Sequence, residues 1–351
     1  MKLLHIIDDK KFIKFCENTF ALDFVENFFL KSGEITLEFL KDIEVDVIFI
    51  HCLRDNEIDF FYKNKINTPK IWMFWGADGF SLPFFYNAFL DDDSKIANEK
   101  ITRRNVTEFL KHRFRRDFVG LWSRSAFVKK KISVMNQMDY IVPIVPGDYE
   151  LLKRKYFLKP KSYHFNYVVD LVGEVENRGM GNILVGNSAS LSNNHFSILA
   201  KLSELELGER KVYVPLSYGD KYYREYVLNY ISKLNCENII PLSDFMPYED
   251  YTSIIGSCDV MIMNHLRQQA LGNVILGLLN GCTIFMNEKS SLYRYLVSKG
   301  LDIRSVDKID EMCGLNYEEK IVNADLAREL FGREKQLRSV EVLLNMYRGA
   351  G

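Results

Sequence analysis

The sequence predicts an α/β protein made of two doubly wound domains, and three observations predict it. Short apolar runs of strand length recur along the 351 residues, each ending in a polar turn. Helix-length segments fall between them, the alternation expected of a parallel sheet. Gly173 to Gly181 (GEVENRGMG) is Gly-rich, charged and without apolar period, and it divides the chain into two parts of similar length.

Lys2 to Ile7 reads as a first strand ending at Asp8-Asp9, and Phe12 to Leu30 is an aromatic-rich, mixed stretch. Ile35 to Lys41 is a short helix, Val45 to Ile50 (VDVIFI) a buried strand ending at His51, and 54–66 an amphipathic helix. Lys70 to Phe74 is the next strand, closed by Trp75-Gly76-Ala77-Asp78. A long helical insertion spans 80–135. Asp139 to Val142 is a strand, after which Pro143 and Pro146-Gly147 break the chain, and Ser162 to Val168 is another strand. The second half opens with the strand Asn182 to Val185. Strands at Lys211 to Pro215 and Ile239 to Leu242 follow, with helices at Ser197 to Leu207, Lys221 to Leu234 and Tyr248 to Ile255.

Ser257 to Asn287 then forms one βαβ unit: a strand at Val260 to Met263, a polar loop, a helix at Val274 to Leu279 stopped by Asn280-Gly281, and a strand at Thr283 to Met286. Helices at 291–299, 318–330 and Arg333 to Arg348 complete the chain. The expected domains are 1–175 with the insertion 80–135, 182–332, and a C-terminal helix over 333–351. Two doubly wound domains of similar size facing a cleft make the GT-B arrangement. Dehydrogenases share that architecture, but neither half has a G-x-G-x-x-G after its first strand.

A 47% hydrophobic and 26% charged composition fits a globular protein with ample core. The net charge of −1 gives no field toward nucleic acid, and no nucleic-acid reader module is present. None of the six Cys forms a CxxC pair, so buried thiols in a reducing cytosol are expected rather than zinc. The apolar run in MKLLHIIDDKKF is too short for a signal peptide. No apolar window reaches the ~18 residues a membrane span needs. A cytoplasmic protein that touches a membrane only from outside is expected.

Four groups of residues point to chemistry. The loop His265 to Asn273 places Arg267, Gln268, Gln269, Gly272 and Asn273 at a helix start, where backbone N–H groups and a guanidinium suit a diphosphate. An ordinary polar βα loop has the same composition. Gly186, Asn187 and Ser188 begin a loop rich in hydroxyls and amides after the first strand of the second domain. Tyr218 and Phe245 end the next two strands, where they could enclose a base or pack at the rim. In the first domain Asp78 and His51 both end strands, and either could take a proton from a hydroxyl, though a helix cap and a structural histidine are the plainer readings.

Asp91-Asp92-Asp93 has the D-x-D form of a metal site but sits in the helical insertion, so it reads as an acidic turn with no metal bound. Residues 101–131 carry ten basic residues against two acidic ones, interleaved with aromatics. Arg115, Arg116, Trp122, Lys129, Lys130 and Lys131 belong to this run, which suits an anionic membrane surface; a solvated helix face is the alternative.

Five segments, IWMFWGADGF (71–80), NILVGNSASLSNNH (182–195), VYVPLSYGDKYY (212–223), FMPYEDYTSIIGSCDV (245–260) and MNHLRQQALGNVILGLLNG (263–281), resemble glycosyltransferase family 56. That family comprises bacterial Fuc4NAc transferases acting in enterobacterial common antigen synthesis. The resemblance covers most of the chain. It implies a GT-B fold, a dTDP-linked 4-acetamido-4,6-dideoxygalactose donor, a lipid-linked oligosaccharide acceptor on the inner face of the cytoplasmic membrane, and no bound metal or other cofactor. A transferase using a UDP- or GDP-sugar, a non-catalytic nucleotide-sugar-binding partner, and an epimerase or phosphorylase on the same scaffold are the alternatives.

Overall fold

The computed structural model describes residues 1–176, 181–311 and 314–348. These gather into two compact units. The first takes Met1–Tyr86, Phe118–Asp170 and the chain from Leu330 onward; the second takes Asn87–Asp117 and Leu171–Glu329.

The first unit is built on six parallel strands: β1 (Lys2–Ile6), β2 (Glu26–Leu30), β3 (Val47–His51), β4 (Lys70–Phe74), β5 (Tyr140–Pro143) and β6 (Lys161–Ser162). Their order is β2-β1-β3-β4-β5-β6. Every residue of β3 and β4 is buried, which is why both read as unbroken apolar runs. The mixed stretch resolves into a helix, Lys10–Thr19, and the half-buried edge strand β2. The sheet grows one way from β1 to β2 and the other way from β1 to β3. A crevice opens at the strand ends where that direction reverses.

Two expectations are corrected here. The strand at 162–168 is limited to Lys161–Ser162. Beyond it, side chains replace the ladder: Val168 N–H donates to Thr19 Oγ1 and Asn166 N–H to Gln336 Oε1. Pro146 does not break the chain but opens the helix Pro146–Tyr156, since proline lacks only an N–H that the first turn would leave unpaired. The helix Arg333–Arg348 joins this unit, packing Val340, Leu343 and Leu344 against Leu3, Val47 and Phe49.

The second unit holds β7 (Asn182–Val185), β8 (Val212–Pro215), β9 (Ile239–Leu242), β10 (Cys258–Met263), β11 (Thr283–Met286) and β12 (Arg304–Ser305). All its pairs are parallel, in the order β12-β11-β10-β7-β8-β9, and the direction reverses between β7 and β10. Ile183, Val185, Val212, Val214, Val260 and Ile262 meet Leu199, Leu202, Val227 and Ile231 in its core.

The structure divides the helical insertion. The helices Asp92–Thr102 and Val106–Asp117 go with the second unit, because Ala97 and Ile101 pack into its core and Arg104 pairs with Glu225. The segment 118–135 stays with the first unit. Residues 177–180 of the expected linker, Cys313, and residues 349–351 after the last helix lie outside the described residues.

Candidate functional site

At the reversal point of the second sheet, the loops after β7 and β10 are tied together through Asn193. Its Oδ1 accepts from the Asn187 N–H at 2.9 Å and from His265 Nε2 at 2.9 Å, and its Nδ2 donates to Ser188 Oγ at 3.2 Å. This tight fold needs Gly186: with φ +69°, a Cβ there would lie 2.6 Å from both Asn193 Oδ1 and His195 Nε2. Gln269 extends the network. Its Nε2 donates to Asn187 Oδ1 at 3.1 Å and its Oε1 accepts from Ser192 Oγ at 2.6 Å. Asn187 Nδ2 in turn donates to the Tyr218 hydroxyl at 3.0 Å, bringing in the loop after β8.

Burial pushes the pKa of His195 and of His265 down to about 3, so both rings are neutral at pH 7. The His265 proton sits on Nε2, facing Asn193; its buried Nδ1 has no partner among the described residues.

Beside this network the helix Leu271–Leu279 begins at Ala270, whose φ of +58° turns the chain sharply. Gly272 is exposed, and a Cβ added to it would meet nothing within 4 Å, so the first turn is open at that position. Arg267 is half-buried, with its Nη1 donating to the Gln268 carbonyl at 2.9 Å and its own carbonyl held by Ser290 Oγ at 3.1 Å. The Gln268 N–H donates to Ser291 Oγ at 3.1 Å. Asn273 points another way, its Nδ2 bonding the Tyr251 hydroxyl at 2.7 Å. Phe245, after β9, is 90% exposed. Such exposure is unusual for phenylalanine, which ordinarily packs inside.

In the first unit, the ends of β1, β3 and β4 surround a polar cavity of about 480 Å³ lined by Asp8, Cys52, Arg54, Asp55, Asp78, Ser81 and Lys131, among others. It lies at the strand ends where that sheet reverses. Asp78 is buried, and its Oδ2 accepts from Trp72 Nε1 at 2.7 Å and from the Leu53 N–H at 3.0 Å. Its Oδ1 has no partner among the described residues. Burial raises the Asp78 pKa, against the lowering effect of Trp72, Leu53 and Lys131. Cys52, on the cavity wall, has φ +71°, a conformation that costs a non-glycine residue about 1–3 kcal/mol.

His51 is placed differently. It is buried, with Nε2 3.0 Å from His5 Nδ1 and Nδ1 bonded to the Tyr167 hydroxyl. His5 continues to Asn27 Oδ1 at 2.9 Å. Burial and the neighbouring His5 hold the His51 pKa well below the usual histidine range. With Cys16, these histidines bring three potential metal ligands within 4.8 Å of one another, but both nitrogens of each ring already take part in hydrogen bonds.

Of the acidic triplet, Asp91 has a structural place, while Asp92 and Asp93 are exposed. Asp91 caps the helix Asp92–Thr102: its Oδ1 accepts from the Ser94 N–H at 2.8 Å and its Oδ2 from Ser197 Oγ at 2.7 Å. The Asp91 N–H donates to Asn194 Oδ1 at 2.9 Å. The basic run is not one surface. Arg115, Arg116 and Lys129 are exposed, Trp122 packs on Tyr86, and Lys130 pairs with Asp59. Lys131 corrects the expectation for that run, being only 4% exposed and lining the cavity beside Asp78. Its spacing carried the signal. Val128, Lys131, Val134 and Met135 share the buried face of the helix Ala126–Met135, at three- and four-residue intervals. Asn193 and His265 join the loops, yet nothing in their spacing sets them apart from other loop residues.

The sequence matches the family described as 4-alpha-L-fucosyltransferase, glycosyl transferase group 56, over residues 156–333, just over half the chain. Among solved structures, the fold is similar to sucrose-phosphate synthase from Thermosynechococcus elongatus (TM-score 0.65, 10% identity, covering 100% of this chain and 99% of that one). It is similar to Anabaena HepE in complex with UDP and glucose (TM-score 0.66, 10% identity, covering 99% and 100%). A glycosyltransferase from Rickettsia africae matches as well (TM-score 0.65, 11% identity, covering 100% and 99%). The chain therefore belongs to glycosyltransferase group 56 and is a glycosyltransferase with the GT-B fold.

Proposed function

We propose that this glycosyltransferase moves 4-acetamido-4,6-dideoxygalactose from a dTDP-sugar to a lipid-linked oligosaccharide, without a metal ion, in bacterial surface polysaccharide synthesis. The observation that carries the reading is the second unit's reversal point. There two loops joined through Asn193 flank a helix whose first turn is open at Gly272. A helix start of this kind binds phosphate groups through its free N–H groups. On this reading Arg267 pairs with the diphosphate and steadies the charge that grows on it as it leaves. Tyr218 and Phe245 enclose the base. HepE, whose structure holds UDP and glucose, lends the scaffold's capacity for a nucleotide to this reading.

In the first unit Asp78, whose Oδ1 has no partner among the described residues, is the better-placed base, because the hydrogen bonds of His51 are internal. The acceptor hydroxyl gives its proton to Asp78. Its oxygen forms the new bond to the anomeric carbon, and the bond from that carbon to the diphosphate breaks with the electron pair leaving on the diphosphate. Thermal shift with dTDP, UDP, GDP and CMP tests the donor. The largest stabilisation is expected with dTDP; a larger response to UDP or GDP transfers the reading to that nucleotide.

A lipid-linked acceptor requires docking at a headgroup surface. On the helix Val106–Asp117, Val106, Leu110 and Phe114 lie four residues apart and are 73%, 61% and 42% exposed, with Arg113 and Arg115 on the same helix. Phe118, Leu121 and Phe127 of the first unit are exposed too. Each cation near an anionic surface contributes about 1 kcal/mol. Co-sedimentation should show binding to anionic vesicles that weakens with salt and falls sharply when Arg115, Arg116, Lys129 and Lys130 become Gln. Equal partition onto neutral and anionic vesicles, or onto neither, would leave those charges to water and to their ion pairs within the protein.

A further inference from the structure

We infer that Lys131 is a positioning residue of the first unit's cavity, holding Asp78 as a carboxylate that can accept a hydroxyl proton. The inference rests on the reading of Asp78 as the base, and the experiment below separates the two.

An ammonium group taken from water is costly unless it is paired. Lys131 nevertheless occupies the apolar face of its helix, between Val128 and Val134. Its Nζ donates to Ser81 Oγ at 3.2 Å, and Ser81 Oγ donates to the Asp78 carbonyl at 3.3 Å. Asp78, Ser81 and Lys131 line one cavity. Arg54, the other cation on that wall, is paired with Asp8.

The Asp78 carboxyl is pinned on one side only. Trp72 and the Leu53 N–H hold Oδ2, while Oδ1 is buried without a partner among the described residues. A carboxyl buried alone protonates and is useless as a base. A nearby cation counters that by favouring the charged form. The other ionisable groups near the pair are Asp8, Arg54, Asp55 and Cys52, which line the cavity, with Glu57 and Tyr167 close by. Burial presses Asp78 toward protonation; Trp72 and the Leu53 N–H oppose it through Oδ2, and Lys131 is the cation that adds to them.

Trp72 supplies a direct reporter. Its indole N–H donates to Asp78 Oδ2, and the chain has three tryptophans, so the indole resonances are few and Trp72→Phe assigns the one concerned. Its pH titration by ¹⁵N NMR reads the ionisation of Asp78 without any substrate. With the cation removed, the carboxylate is less favoured and the midpoint rises. Lys131→Met should raise it by roughly one pH unit or more. Lys131→Arg should leave it near the wild-type value. Ser81→Ala, which releases Nζ without removing its charge, should move it less, in the same direction, and stands in if Lys131→Met does not fold.

Turnover is measured with the dTDP-sugar and a lipid-linked oligosaccharide extracted from bacterial membranes. The rising limb of kcat against pH should follow the same displacement in Lys131→Met, with dTDP affinity unchanged. An indole midpoint that stays in place in Lys131→Met and Ser81→Ala overturns the inference. Near-normal turnover in Asp78→Asn overturns instead the reading of Asp78 as base, whatever the indole shows.

Discussion

The side chains joined through Asn193 where β7 and β10 end are neutral amides, hydroxyls and an imidazole, with the charged Arg267 and Asp91 beside them, whereas the ends of β1, β3 and β4 surround Asp8, Arg54, Asp55, Asp78 and Lys131. Both places are reversal points of parallel sheets, so topology alone does not distinguish them. The chemistry does. Neutral donors fixed by one another suit a ligand that brings its own charge, because they need no reorganisation when it arrives. A buried carboxyl beside a buried ammonium suits a proton that must move, because small changes around it decide where the proton rests. On the proposed function, the second unit holds the donor and the first handles the acceptor hydroxyl.

The largest effect expected from that division is at Asp78. Asp78→Asn keeps the shape and the acceptor for Trp72 Nε1 but cannot take a proton. Turnover should fall by ~10²-fold or more, with dTDP affinity unchanged by calorimetry. A variant with near-normal turnover would end the contrast, since the first unit would then have no base at Asp78.

Arg267 tests the other side. Arg267→Ala should weaken dTDP binding by about 1.5–3 kcal/mol, the range for a hydrogen bond to a charged group. The pH dependence of turnover should stay as it was. Unchanged nucleotide affinity would remove the only cation from the second unit's part in the reading.

The sequence showed one of these two regions more clearly than the other. Parallel strands covered on both faces read as plain apolar runs, so VDVIFI, KIWMF and VMIM located β3, β4 and β10 directly. β2 was obscured because an edge strand is only half-buried, and β12 because it is two residues long. The polar loops after β7 and β10 stood out by composition, but the bonds through Asn193 join residues 72 positions apart, and no local pattern encodes them. Lys131 was hidden by its neighbours. In Lys129-Lys130-Lys131 a charge count sees three equal cations, while the helical period turns one inward.

The smallest effect concerns the acidic triplet, where fold and chemistry make opposite demands. A metal site built from Asp91, Asp92 and Asp93 would need carboxylates that converge on one ion. Instead each has a separate setting. Asp91 caps a helix and binds Ser197, Asp92 pairs with Lys95 at the surface, and Asp93 is exposed. Asp91→Ala should therefore lower stability by about 0.5–2 kcal/mol, the cost of losing a cap, seen as a lower Tm. Asp92→Asn and Asp93→Asn should change neither Tm nor turnover, and the wild type should keep its turnover in EDTA. The Asp91 change should also raise the dTDP concentration needed for half-maximal rate. The Asp91 carboxylate holds Ser197, four residues after Asn193, so losing it loosens the end of the loop proposed to hold the nucleotide, although the Asp91 N–H keeps its bond to Asn194. A strict Mn²⁺ or Mg²⁺ requirement lost with all three residues would make the triplet a ligand set, and the donor's negative charge would then be held by an ion rather than by Arg267 and the helix start.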